Sequence, residues 1–246
     1  MTLLRLRSLA VLAVAATVTL SACGKSEQAV VDPAVDGDAS VEVTPEAEAE
    51  AGSDAAAAGS PDAAEVEAGK YSNEFFGFTM AFPDAWTIAS QETTDGLQDT
   101  GAEMLAGDDE ALKSSIEAAE KDTYQLLMIS EQPVGAPTTD FNPNLVVMAE
   151  KVSHLPGIKS GSEYLENVSN LLLQTDLPYA AEGEPYEVEI GGRKFHRADF
   201  TLSTAGIEIK QSYLATVDKG YALGFILSGT DDTMSSLDDI TQSISF

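Results

Sequence analysis

The sequence predicts an α+β fold in which an antiparallel β-sheet is flanked by helices. Two observations support the class: strand-like alternation with short turns, and helical apolar stripes outside the alternating segments. The aromatic residues place the domain, because none of the 17 Phe, Tyr and Trp residues falls within residues 1–70. A segment without aromatic side chains has little material for a core, so one folded domain is expected over 71–246.

The predicted domain opens on an aromatic strand. Large apolar residues occupy every second position of 76–82, the period of a strand. Turn residues follow at 83–85, and a second strand is expected over 86–89. A helix is predicted over 108–121, where Leu112 and Ile116 lie four residues apart. The remaining predicted elements are strands at 124–130 and 145–152, a helix from about Ser162, strands at 194–202, 207–217 and 221–227, and a helix from about Thr233.

The last predicted strand is the most apolar. Nearly every residue from Tyr221 to Leu227 is hydrophobic, which predicts a central strand covered on both faces. The short turns at Gly191-Gly192 and at Asp218-Lys219-Gly220 favour antiparallel pairing of the strands that they join.

The N-terminus has the pattern of a secretory signal. Arg5 and Arg7 precede an uncharged apolar run over 9–20. As a helix this run spans about 18 Å, too short for a bilayer core of about 30 Å. We therefore interpret residues 1–22 as a signal peptide rather than a membrane anchor.

The segment Leu20-Ser21-Ala22-Cys23-Gly24 contains the only cysteine of the chain. It resembles the lipobox of bacterial lipoproteins. The resemblance implies cleavage between Ala22 and Cys23 and acylation of Cys23, which would become the sole membrane contact. It also implies residence in the bacterial cell envelope and, because Gly24 follows the cysteine, in the outer membrane facing the periplasm if the cell is Gram-negative. A soluble secreted protein with an incidental cysteine is the alternative.

The segment after the cysteine is acidic and of low complexity. Residues 24–70 hold 12 acids and two lysines among many Ala, Gly, Ser and Pro. Low hydrophobicity with high net charge predicts disorder. We therefore divide the chain into a signal peptide, 1–22, a lipidated cysteine with a disordered tether, 23–70, and a globular domain, 71–246.

Several framework motifs of the domain resemble PsbP-like domains. The motifs are the opening 71–78, Phe82-Pro83-Asp84-Ala85-Trp86, Phe141-Asn142-Pro143-Asn144, Gly220-Tyr221-Ala222-Leu223 and the ending 242–246. This superfamily includes photosystem-associated PsbP proteins, a eukaryotic nuclear-transport factor and bacterial lipoproteins of the DcrB and LpqN type. The resemblance implies an α/β/α sandwich and a role in binding or assembly.

Composition and motifs argue against several functions. The formal charge of −28 disfavours nucleic acid as a partner. His154 and His196 lack carboxylates at the spacings of metal sites, and no nucleophile elbow, phosphate loop or dinucleotide motif is present. The acids at 108–110 and 231–232 precede predicted helices, where capping is favoured over calcium binding. No catalytic residue, metal ligand or cofactor is assigned.

One basic cluster stands out in this acidic domain. Arg193, Lys194, His196 and Arg197 lie within five residues of one predicted strand. They form a candidate site for an anionic ligand or an acidic partner segment, and local charge pairing at a sheet edge is the favoured alternative.

The function predicted from these patterns is that of a non-catalytic envelope lipoprotein whose tethered domain binds an envelope protein partner. A binder of small ligands or metal ions, or a hydrolase without a recognised motif, remains the alternative.

Overall fold

The computed structural model of the chain describes residues 59–67, 69–137, 140–204 and 206–246. The predicted signal peptide, Ala22 and Cys23 at the predicted cleavage site, and the predicted tether up to residue 58 lie outside the described residues. The described strands are β1 (Ala64–Glu67), β2 (Lys70–Asn73), β3 (Phe78–Ala81), β4 (Thr87–Ile88), β5 (Thr123–Ser130), β6 (Asn144–Lys151), β7 (Tyr179–Ala181), β8 (Tyr186–Ile190), β9 (Arg193–Thr204), β10 (Ile207–Asp218) and β11 (Tyr221–Gly229). The described helices are α1 (Gln91–Ala106), α2 (Glu110–Glu120), α3 (Gly161–Leu172) and α4 (Met234–Gln242).

Within the described residues the strands form two antiparallel sheets. The larger sheet has eight strands in the order β4-β5-β6-β11-β10-β9, with β7 and β8 both paired to the outer side of β9. The smaller sheet has the order β1-β2-β3. The arrangement confirms the predicted α+β class with an antiparallel sheet flanked by helices.

The larger sheet has a hydrophobic core on each face. On one face Phe200, Tyr213 and Ile226 pack with buried residues of α3, among them Leu165 and Val168. The opposite face packs against α4 and the smaller sheet, and its core is Phe78, Phe195, Phe225, Leu237 and Ile240. None of the described helices is both long enough and apolar enough to cross a membrane.

Strand β11 occupies the centre of the larger sheet, as its sequence predicts. It pairs with β6 on one side and β10 on the other, and every residue from Ala222 to Gly229 is buried. The Asp218-Lys219-Gly220 turn joins it to β10, and Lys219 and Gly220 both have positive φ, 52° and 81°.

Ordered structure begins earlier than residue 71. Strand β1 pairs antiparallel with β2, from Ala64 opposite Asn73 to Glu67 opposite Lys70, and Gly69 just before β2 has a φ of 70°. All four side chains of β1 are exposed. Because the strand contributes no buried side chain, it carries no hydrophobic signal that distinguishes it from the acidic sequence before it.

The first predicted strand begins later in the structure than the sequence indicates. Phe76 lies in the turn before β3 rather than in the strand, although its side chain is fully buried.

Asp109 caps α2 as expected, accepting hydrogen bonds from the backbone N–H groups of Ala111 and Leu112 at 2.9 and 3.0 Å. The predicted capping by the acids at 231–232 is wrong, because Thr233 holds the N-cap position of α4.

Gly224 in the middle of β11 offers a stabilising substitution. A methyl group there would meet Met148 Cγ at 3.4 Å and the Leu214 carbonyl oxygen at 3.8 Å, which are ordinary contacts, beside a void of about 10 Å³. Glycine inside a strand costs about 0.5–1 kcal/mol relative to alanine. We expect Gly224→Ala to raise the free energy of unfolding by about that amount in urea titrations of the full chain. A loss of stability would contradict this packing.

Candidate functional site

The predicted basic cluster lies on β9, beside the outermost strand of the larger sheet. Arg193 and Arg197 face the α4 side of the sheet together with the fully buried Phe195. Lys194 and His196 face the opposite side, because successive side chains of a strand alternate. The cluster is therefore divided between two faces, and the structure brings only its two arginines to the same face.

Arg197 is the centre of a partly buried network of charges. Its side chain is 18% exposed and donates hydrogen bonds to Asp199 on β9 at 2.8 Å and to Asp238 on α4 at 2.7 Å. It also donates to the buried Ser212 hydroxyl on β10 at 2.7 Å. Burial lowers the pKa of the Arg197 guanidinium, but the hydrogen bonds to Asp199 and Asp238 outweigh this and raise it above its usual value.

The other cations of the cluster also have carboxylate neighbours. Arg193 lies 2.9 Å from Asp218 and stacks over the ring of Phe246 at 4.0 Å. Lys194 lies 3.0 Å from Glu187 on β8. Arg193, Lys194 and Arg197 thus each lie beside a carboxylate of their own chain. This is the charge pairing at a sheet edge that the sequence analysis favoured, and an incoming anion would have to compete with these carboxylates.

A further cation, Lys210, repeats this pattern at the far end of the β9–β10 hairpin. Its ammonium lies 2.6 Å from Glu182 and 3.0 Å from Glu208. Hydrogen bonds to these two carboxylates raise the pKa of Lys210.

Strand β8 forms an exposed edge of the larger sheet, and it was not among the predicted strands although its residues alternate between apolar and acidic. It pairs with β9 from Tyr186 opposite Arg197 to Ile190 opposite Arg193, and the described residues provide no strand on its other side. Tyr186 is 46% exposed, and its hydroxyl donates a hydrogen bond to Asp199 at 3.0 Å. Burial, and then this bond, raise the pKa of Tyr186. We call residues 186–190 the β8 edge.

A cleft opens at the end of the sheet where β5 and β11 finish. Its volume is about 620 Å³ and it lies between the loop after β5 and the β11–α4 connection. Its lining includes three carboxylates and one aromatic ring: Glu131, Asp140, Asp232 and Phe141. Carboxylate-rich walls suit cations better than anions.

A row of buried polar side chains lies at the same end of the sheet. Ser130, Asn144, Ser228 and Gln211 occupy paired positions on four adjacent strands, and each is at most 2% exposed. Ser130 and Asn144 donate hydrogen bonds to the carbonyl oxygens of Gln132 and Asn142, at 2.7 and 3.2 Å, and so hold the cleft loop. The sequence signal that could have identified this row is the polar residue at the end of each of these apolar strands.

Glu150 is a further buried polar residue that the sequence did not single out. It is 1% exposed and accepts a hydrogen bond from the Tyr164 hydroxyl on α3 at 2.8 Å. Burial and the nearby Glu150 carboxyl raise the pKa of Tyr164 well above its usual value. The hydrogen bond between Tyr164 and Glu150 links α3 to β6.

The two histidines lie in different surroundings. His154 lies 3.7 Å from Asp122, whereas His196 on β9 lies opposite Glu187 on β8. In the part of the chain that the structure describes, no group of three or more His, Cys, Asp or Glu side chains is arranged to hold a metal ion.

Comparison with known proteins gives likeness to solved structures only. No protein-family model and no curated protein matches the sequence. The solution structure of the cyanobacterial PsbP protein CyanoP from Synechocystis sp. PCC 6803 is similar at 13% identity, with 78% of this chain and 96% of that chain covered and a TM-score of 0.42. LpqN of Mycobacterium tuberculosis, described as involved in cell envelope biogenesis, is similar at 15% identity, with 69% and 82% covered and a TM-score of 0.39. The fold class itself rests on the strand order and helices of this chain.

Proposed function

We propose that this chain is a non-catalytic lipoprotein of the cell envelope whose domain binds a protein partner through the β8 edge. The exposed edge strand is the observation that carries the binding role, because an unpaired strand presents backbone donors and acceptors to another extended chain. The lipobox-like segment at the sole cysteine supports the anchor. The acidic spacer would give the domain reach from the membrane.

The anchor is tested by replacing the cysteine. We expect Cys23→Ala to move the protein from the membrane fraction to the soluble fraction after extraction at high salt, because stable anchoring depends on the acyl chains. The measurement is immunoblotting of separated fractions, with Ser21→Ala as a control that keeps a small residue before the cleavage site. Retention of the Cys23→Ala protein in the membrane would contradict the anchor.

Partner binding is tested by chemical cross-linking of the full-length protein in its native envelope, with adducts identified by mass spectrometry. We expect one discrete adduct that disappears when residues 71–246 are deleted. Absence of any specific adduct would contradict the binding role.

A second candidate function is the binding of a small cationic ligand in the cleft between the loop after β5 and the β11–α4 connection. Its volume of about 620 Å³ is within the range of ligand sites. Native mass spectrometry of the full-length protein tests this candidate, because a bound small molecule or cation would add a defined mass. Asp232→Asn should then weaken binding, whereas Glu103→Gln on α1 should not.

A further inference from the structure

The two faces of the β8 edge differ in chemistry. The register places Tyr186, Val188 and Ile190 on the α4 side of the sheet, where Val188 and Ile190 join the core. Glu187 and Glu189 therefore face the opposite side. A strand added next to β8 would meet an apolar row on one face and an acidic row on the other.

The acidic row is open to a partner. Glu187 and Glu189 are both exposed. The Lys194–Glu187 pair is a surface pair, with side chains 76% and 52% exposed, and such pairs contribute little. No ion pair of Glu189 is found among the described residues. A cation of the partner could therefore replace Lys194 beside Glu187 at little cost in free energy.

The apolar row supplies contact area. Tyr186 is 46% exposed although its ring is fixed by the hydrogen bond to Asp199. Val188 is only half-buried. An aromatic side chain that is already fixed in place loses little conformational freedom when a partner covers it.

Charge argues against a second copy of this chain as the occupant. Two β8 edges placed side by side would bring acidic rows together, and the chain has a formal charge of −28. Like charges directly opposite each other destabilise a sheet, whereas opposite charges stabilise it. The acids on this edge thus repel self-association and favour a basic strand.

We infer that the partner segment is an extended strand in which apolar residues alternate with Lys or Arg, added alongside β8. This inference rests on the proposed function and specifies the chemistry of its partner. The apolar residues of the segment would cover Tyr186 and Val188. Its cations would face Glu187 and Glu189. Backbone hydrogen bonds along the edge would fix its direction and register.

A peptide experiment tests this inference with the full-length protein in detergent. The probe is fluorescein-labelled Lys-Val-Lys-Val-Lys-Val, and binding is followed by anisotropy. We expect saturable binding that weakens about tenfold in the double variant Glu187→Lys/Glu189→Lys. The matched control is Glu103→Lys/Glu117→Lys, two exposed acids on α1 and α2 with the same change in net charge. Equal weakening in both variants would overturn the inference.

Two peptide controls separate strand addition from simple attraction of charges. A peptide of identical composition with the order Lys-Lys-Lys-Val-Val-Val should bind about tenfold more weakly, because it cannot place its cations on one face. N-methylation of alternate residues along one side of the peptide backbone should abolish binding, while methylation along the other side should not. Equal binding by all these peptides would overturn the inference.

The same variants distinguish this inference from the proposed function. An envelope adduct that persists in Glu187→Lys/Glu189→Lys would overturn the basic-strand inference and leave partner binding intact. If the unmodified protein gave no specific adduct, partner binding itself would be overturned. Sedimentation showing a dimer that this double variant abolishes would assign the edge to a second copy and also overturn the inference.

Discussion

Replacing Gly161 with alanine is expected to lower the free energy of unfolding of the full chain by about 3 kcal/mol, the upper part of the range for overpacking. Gly161 is the first residue of α3, and a methyl group there would lie 2.0 Å from the Ala215 carbonyl oxygen of β10 and 2.8 Å from its carbon. Because both obstacles are backbone atoms of a paired strand, α3 would have to move away from the sheet. Urea titration followed by circular dichroism measures the loss.

Gly157→Ala is the matched control, because no atom lies within 4 Å of a methyl group at that position. We expect this variant to stay within about 0.5 kcal/mol of the unmodified protein. If the Gly161→Ala variant were as stable as the unmodified protein, that result would contradict the close approach of α3 to β10.

Replacing Arg197 with methionine is expected to cost about 3 kcal/mol, near the lower limit for breaking a buried ion pair. The variant would leave Asp199 and Asp238 without their shared cation in a partly buried site. Their repulsion would push α4 away from β9. Thermal and urea unfolding measure the effect, and adding Asp238→Asn should recover part of it because one of the unpaired charges is removed.

Lys194→Met makes the same exchange three residues earlier on the same strand. Its partner Glu187 is exposed, so we expect a change below about 1 kcal/mol. Equal losses in the two variants would show that Arg197 contributes as an ordinary surface residue, contrary to the network that the structure shows.

The central strands could be predicted because their burial is visible in their composition. β11 is apolar at nearly every position, and β9 and β10 alternate around glycine turns. α3 was equally clear, since Tyr164, Leu165 and Val168 form one buried stripe. Helix α1 was missed because its buried residues are few, and they include Thr94 rather than a regular apolar row.

The candidate site could be predicted only in part. The sequence locates Arg193 and Arg197 as unusual cations, but Asp238 is 41 residues further along the chain. Only the fold brings α4 against β9, so the paired state of these arginines could not be predicted from spacing. Strand β8 was overlooked although it carries a strand signal, because Tyr186, Val188 and Ile190 alternate with Glu187 and Glu189 before the Gly191-Gly192 turn. Its alternating run is only five residues long, and the sequence alone does not show that its outer side is unpaired.

Site-specific photo-cross-linking in the native envelope tests the central claim most directly. A photoreactive amino acid at position 189 on the β8 edge would be compared with one at position 166, an exposed position on α3. Partner binding through the β8 edge predicts a discrete protein adduct from position 189 and none from position 166. No adduct from position 189, or the same adduct from both positions, would contradict it.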